Sequence, residues 1–294
     1  MKRSVIFIMA LLISVCIAAM GSSNVFNIDP TSGARGSGSV LGVDIDDFGS
    51  MLVNPALMPI SGWNYFKTSY RKYYEEMDVS LISTAVYLEN FGNVGISAIY
   101  GNWGYQDSRD ATGAVTGQFH SSDLGLVLSF GDAIGQNTYA GVNIKYLFSR
   151  IDTYTADSFL VDLGLAFKMK KLLIGLFVNN WGTKLEYVQE GAFPSMSGGI
   201  GFRYKRPMGD GGMSLTLLTQ AVIRESSMIL NSGFAFNINK WIKLRFGASD
   251  ALNDTTRNIL FGAQIGLNKL EIDVSYGFGS LLPGTVSAGL GYRW

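Results

Sequence analysis

The sequence predicts an all-β protein, a transmembrane antiparallel β-barrel of about 14 strands with an N-terminal plug (hatch) inside the lumen. Three observations carry that prediction. The 294-residue chain is 47% hydrophobic and only 16% charged, against roughly 25% charged in an average soluble domain. Beyond the N-terminal run, no stretch approaches the roughly 18 consecutive apolar residues of a transmembrane helix. From residue 63 onward, apolar and polar residues instead alternate with period two in runs of about ten residues. Gly is frequent (36) and Pro scarce (6), which leaves strands uninterrupted.

Composition also narrows the chemistry. Formal net charge is zero, so no overall field draws nucleic acid. Cys16 and His120 are the single cysteine and the single histidine. The usual zinc and haem ligand sets are out of reach, and neither metal nor cofactor is expected. His120 lies in a polar loop with no Ser-His-carboxylate cluster in view, so no enzyme is expected.

Residues 1–21 read as a signal peptide. Lys2 and Arg3 form a positive start, Val5 to Ala19 is apolar but for Ser14, and Ala19-Met20-Gly21 supplies small residues for cleavage near Gly21/Ser22. The run is short for a spanning anchor, and Val15 fits poorly before a lipidated Cys16. Export and alternation together point to the bacterial outer membrane.

Residues 22–62 show no sustained alternation. They contain Ala34-Arg35-Gly36-Ser37-Gly38, then Asp46-Asp47, then Asn54-Pro55-Ala56-Leu57. Two readings stand: a plug in the lumen, or a disordered linker. In a plug, Asn54 can donate and accept hydrogen bonds and Pro55 fixes a turn. Arg35 is then expected to pair with Asp46 or Asp47, or with Glu271 or Asp273. The Gly36 stretch lacks a preceding strand and a Lys-Ser/Thr pair, so it is no phosphate loop.

Residues 63–294 form the barrel. The expected strands are 63–72, 78–89, 93–103, 122–131, 137–149, 157–169, 171–180, 194–206, 212–224, 227–238, 241–250, 256–267, 269–279 and 284–294. Leu270, Ile272, Val274, Tyr276 and Phe278 share one face, and Glu271, Asp273, Ser275, Gly277 and Gly279 the other. A soluble sandwich alternates too. These runs exceed the usual 5–6 residues or so of soluble strands, and Tyr146, Phe148, Tyr204, Tyr292 and Trp294 fit aromatic girdles near strand ends. Connections after even-numbered strands are mostly brief, as at Lys170 and Asn268. Those after odd-numbered strands are often longer, as at 104–121, 150–156 and 181–193. Short periplasmic turns and long outer loops put both termini on the periplasmic side.

Period two sends Lys145, Asp162, Arg203, Arg245, Glu271, Asp273 and Arg293 inward, because Arg or Lys facing lipid at midplane costs roughly 2–4 kcal/mol. Leu147, Leu160, Leu173, Phe177 and Leu260 point inward as well. This mixed lumen leaves two readings open. Lys145, Arg203, Arg245 and Arg293 contact the head group of an amphipathic ligand, or they form structural ion pairs with Asp162, Glu271 and Asp273. The last strand ends on Tyr292 and Trp294, the kind of terminal aromatic that the barrel assembly machinery reads.

The order of motifs in the N-terminal segment is more specific. Ala34-Arg35, the acidic pair Asp46-Asp47 and Asn54-Pro55-Ala56, all just before the first strand, resemble the hatch of the FadL-type outer-membrane family and its PorV/PorQ and UPF0164 relatives. This chain is shorter than the fatty-acid transporters of that family, and Leu57 stands where they usually have Gly. The resemblance implies passive uptake of hydrophobic or amphipathic small molecules such as long-chain fatty acids. A PorV-like role, with a secreted protein as partner, is the alternative. Trp103, Tyr105 and Phe119 around the 104–121 loop, and Tyr187 in the 181–193 loop, are then the candidate contacts. Either way the expected surroundings are outer-membrane lipid.

Overall fold

The computed structural model describes residues 22–294 except 23, 63, 74, 189–190, 210–211, 226, 253–256 and 280–282. The expected signal peptide lies outside the described residues. In chain order the strands are β1 (Tyr65–Lys72), β2 (Asp78–Leu88), β3 (Gly92–Arg109), β4 (Val115–Gly135), β5 (Thr138–Ile151), β6 (Tyr154–Met169), β7 (Leu172–Gly182), β8 (Leu185–Glu186) and β9 (Gly191–Ala192). They continue with β10 (Ser197–Met208), β11 (Met213–Arg224), β12 (Ser227–Asn237), β13 (Ile242–Ala251), β14 (Arg257–Leu267), β15 (Leu270–Gly279) and β16 (Thr285–Arg293). Fourteen of them close into one antiparallel barrel, and the short β8–β9 pair sits in the connection between β7 and β10. The seam is β1 against β16, with Tyr65 opposite Arg293 and Lys72 opposite Val286. Closure leaves no strand edge to face hydrocarbon.

The period-two pattern maps onto the wall as expected. On β15, Leu270, Ile272, Val274, Tyr276 and Phe278 are exposed, while Glu271, Asp273 and Ser275 are buried. Ile272 is 44% exposed and Val274 51%. Such residues recur around the whole wall, including Ile82, Ile96, Leu126, Ile144, Leu217, Leu244 and Ile259. A contiguous apolar surface of that extent is suited to lipid and not to water. The sandwich reading is overturned, because the apolar face points outward.

The structure corrects the connections in two places. The stretch 104–121, expected as a loop, continues β3 and β4 as a hairpin that runs from Tyr105 opposite His120 to Arg109 opposite Val115. The register shifts between Asn102 and Tyr105, where Gly104 takes φ +72°. This hairpin has no buried face, so it is held by backbone ladders and cross-strand pairs and carries no apolar alternation to announce it. Its tip is ordered by Asp110, whose carboxylate accepts from the Thr112 hydroxyl and from the N–H groups of Thr112 and Ala114. Those bonds hold the Asp110 carboxyl below its usual value. The second correction is at 150–156, where the ladder runs on to Ile151 opposite Tyr154 and leaves a two-residue turn at Asp152, with φ +57°. Lys170 and Asn268, expected as tight turns, take the left-handed conformation that two-residue hairpins need.

The core of the molecule is the lumen itself. Val25, Phe48, Met51, Leu52 and Met58 from the N-terminal segment pack against Tyr65, Val79, Leu81, Ile99, Val127, Leu147 and Leu160 of the wall. Val40, Val43, Ala56 and Leu57 pack against Ala166, Leu173 and Leu218. Each Val, Leu, Ile, Phe or Met side chain among them contributes about 1.5–3 kcal/mol on burial. The segment is therefore a packed plug, and the disordered-linker reading is overturned. It threads the barrel. Ser22 bonds to Phe193 and Ser195 in the β7–β10 connection, whereas Trp294 bonds to Asn64 at the other mouth. The ends of the wall lie side by side, as expected, but the N-terminal end of the plug reaches the opposite mouth.

Candidate functional site: the plugged lumen

The motif Asn54-Pro55-Ala56 forms the first point of attachment. Asn54 caps a short 3-10 turn over Pro55–Leu57, its side-chain oxygen accepting from the Ala56 N–H at 3.3 Å. Its amide donates to Gly42 O at 3.0 Å within the plug and to Leu165 O at 3.3 Å on β6. All these groups are buried, and each would be costly if left unpaired. The turn can reach the wall because glycines face it. A Cβ on Gly164 would overlap Asn54 Oδ1, and one on Gly141 would lie 2.5 Å from the Pro55 carbonyl carbon. Neutral side chains add to this attachment: Gln220 accepts from Gly42 N at 2.8 Å and donates to Ser39 O at 2.9 Å, and Asn143 donates to Met51 O at 3.0 Å.

The acidic run forms the second point. Asp47 lies 3.5 Å from Lys67 of β1, and Lys67 lies 2.8 Å from Asp273 of β15. Asp46 meets Arg203 of β10 at 3.1 Å and Lys243 of β13 at 3.6 Å. Asp44 meets Arg245 at 3.4 Å, and Arg245 also donates to Gln264 at 3.1 Å. Asp47 additionally accepts from the N–H groups of Ala34 and Gly49, at 2.8 Å each. Charges this deep are tolerated only when paired and hydrogen-bonded.

The remaining lumen candidates are ion pairs of the wall. Lys145 lies 2.6 Å from Asp162 and donates to Asn180 at 3.1 Å, with its ammonium 4.6 Å from the Phe26 ring centroid. Arg293 pairs with Glu271. Arg35 departs from expectation. It meets none of Asp46, Asp47, Glu271 or Asp273, and instead donates through Nη2 to the Thr285 hydroxyl at 2.6 Å. Its position on the short helix Ser32–Gly36, packed against β14 and β15, aims it away from the acidic run. His120 sits on the projecting hairpin, with Nε2 2.7 Å from Asn102 Oδ1 and its ring against Tyr105. Tyr292 and Trp294 stack on each other on the exposed face of the wall.

Sequence reasoning missed four participants. Lys67 and Arg71 on β1 and Asp44 and Asp29 in the plug are all buried or nearly so and all in ion pairs. The alternation of β1 held the signal for the first two, since Phe66, Thr68 and Tyr70 occupy its outward positions.

With the plug in place the lumen holds separate spaces. One, of about 260 Å³, opens between plug and wall at the mouth near Tyr73 and Arg224. Two others, of about 320 and 260 Å³, adjoin Asp46 at the opposite mouth. Plug side chains from Val40 to Ile60 stand between the two ends.

No protein-family profile matches the sequence, and no curated protein matches it. Solved structures do match in shape. The Pseudomonas putida toluene transporter TodX aligns with a TM-score of 0.66 at 11% identity, covering 94% of this chain and 99% of that one. The Ralstonia pickettii toluene transporter TbuX gives 0.67 at 12% identity, over 92% and 99%. A Pseudomonas aeruginosa FadL homologue gives 0.60 at 12% identity, over 89% and 98%. At such identities the likeness is one of fold: the chain shares the barrel architecture of these outer-membrane transporters along nearly its whole length.

Proposed function

We propose that this protein is an outer-membrane channel for passive uptake of hydrophobic or amphipathic small molecules. The observation that carries the reading is a closed, apolar-belted barrel whose lumen is filled by an ion-paired plug, with separate cavities at its two mouths. A porin for hydrophilic solutes needs a continuous water column, whereas a plugged lumen with apolar walls suits solutes that leave water readily. The fold likeness to toluene transporters and a FadL homologue supports the same class. The hatch motifs extend that class to long-chain fatty acids. In this reading the mouth at Tyr65 and Trp294 faces the periplasm, the signal peptide at 1–21 is removed, and Tyr292 and Trp294 serve assembly.

Flux into proteoliposomes tests it. Toluene and an amphipathic acid should enter faster than into protein-free vesicles, while a sugar of similar size should not. Equal passage of the sugar, or no acceleration of any solute, would sink the reading. Replacing Asn54 and Pro55 by Ala should add an ion leak in planar bilayers.

One observation favours a second reading, a PorV-like interaction role. Beyond Asn102 on β3 and His120 on β4, the strands of the projecting hairpin have no outer ladder partner among the described residues. An added strand from a protein partner could pair there. If that is the function, deleting 104–119 leaves solute flux unchanged and abolishes partner capture.

A further inference from the structure

Deep in the lumen the cations have close carboxylate partners, whereas Lys168, Lys170, Lys171 and Lys205 at the Asp46 mouth are at least partly exposed to water. Lys67 has Asp47 and Asp273, Lys145 has Asp162, Arg203 and Lys243 share Asp46, and Arg245 has Asp44. The cavity of about 260 Å³ at the mouth near Tyr73 breaks this rule. Three guanidiniums line it, from Arg35 of the plug, Arg71 of β1 and Arg224 of β11, and among the described residues Asp29 is its one lining carboxylate. Glu225 lies next to Arg224 in the chain but does not line the space. Even counting it, cations outnumber carboxylates by three to two among the described residues.

The partners of these arginines are incomplete. Arg71, only 1% exposed, donates through Nη1 to the Tyr73 hydroxyl at 3.0 Å and through Nη2 to Thr31 O at 3.3 Å, with Asp29 at a loose 3.7 Å. Arg35 donates to Thr285 alone. In all three arginines Nε is buried with no hydrogen-bond partner, as it also is in Arg203 and Arg245; the three differ from those two in that their terminal nitrogens have no carboxylate within 3.5 Å among the described residues. A guanidinium is a planar fork shaped for two parallel bonds to one carboxylate, and leaving its donors dry and unpaired is costly. The rest of the lining mixes apolar side chains, such as Phe26, Leu41, Phe177 and Ile229, with uncharged polar ones, such as Asn179 and Gln220.

We propose that this cavity binds a compact organic carboxylate, its charged end held by Arg35 and Arg71 and its apolar body against Phe26 and Phe177. Arg224 adds attraction from across the space. The inference rests on the uptake reading and narrows its substrate class. A small aromatic or short-chain acid fits whole, and the chain of a longer acid would project from the open mouth. Asp29 disfavours a dianion such as phosphate. A neutral hydrocarbon would leave the arginine donors as they are.

Titration calorimetry on the full chain in neutral detergent tests this, with benzoate, toluene and inorganic phosphate as probes. Benzoate should saturate one site per chain, with toluene and phosphate at least about tenfold weaker. Arg35→Gln and Arg71→Gln should each weaken benzoate about tenfold or more, the loss expected for a charged hydrogen bond. Arg206→Gln, exposed at the far mouth, should change nothing. Because Arg71 is buried, each variant is first checked for a heat-modifiable barrel, and the half-buried Arg224→Gln supplies a milder variant with a severalfold loss. Toluene binding as well as benzoate, phosphate binding best, or full affinity in both Arg35→Gln and Arg224→Gln would overturn the proposal. The flux assay separates the two failures. Toluene entry without saturable benzoate binding defeats the carboxylate site and leaves the uptake reading. Arginine-dependent benzoate binding without flux of any solute defeats uptake and leaves the site.

Discussion

The plug is held to the wall in two different ways. Around Asn54 the attachment is neutral and steric: an amide, a capped turn and wall glycines that let the backbone come close. Around Asp44, Asp46 and Asp47 it is electrostatic, with four basic side chains from β1, β10 and β13 converging on three carboxylates. The first depends on shape and tolerates no added volume. The second depends on balance and tolerates no lost charge. Their positions differ in part: the turn at Asn54 sits against β4 to β7, while the charged attachment spreads over β1, β10 and β13.

Removing a charge should therefore hurt most where both partners are deeply buried. Lys67→Met leaves Asp47 and Asp273 without their shared cation, and removing one partner of a buried pair typically costs about 3–5 kcal/mol. Guanidinium unfolding in detergent should show a loss of that order together with a raised bilayer leak; a wild-type midpoint would mean the charges are already screened by water. Gly164→Ala adds a single methyl against Asn54 Oδ1, and overpacking of this kind costs about 1–3 kcal/mol. The same two measurements should register a smaller loss. An unchanged midpoint would show that the turn can shift, against a steric attachment. Arg203→Gln should do least, about 1 kcal/mol or below, because Asp46 is 24% exposed and keeps Lys243. If Arg203→Gln matches Lys67→Met in both assays, the charged attachment acts as one network and not as separate pairs.

The wall was legible in the sequence because lipid enforces a strict rule on every second residue. All fourteen barrel strands fall where alternation put them, and Lys145, Asp162, Arg203, Arg245, Glu271 and Asp273 are buried on the inward face. What alternation does not encode is pairing. Arg35 was expected among the acidic residues and lies against Thr285, because its partner is decided by how the plug folds and not by period. The hairpin at 103–120 was invisible for the complementary reason, that water on both faces imposes no pattern. The site at Arg71 and Arg224 needed three dimensions, since β1 and β11 are far apart in sequence and meet only across the cavity.

Lys67 has a consequence for how the molecule is made. It stands on the first strand, reaches past the last one to Asp273 of β15, and touches Asp47 of the segment inside. A ring that closes around a thread must have the thread in place at closing time, or draw it in afterwards through a mouth. Here one ammonium joins the clasp to the thread. Zipping β1 to β16 without Asp47 nearby leaves that ammonium half matched, and seating Asp47 before zipping leaves it without Asp273. Sealing of the ring and capture of the thread therefore favour a single concerted late step in biogenesis.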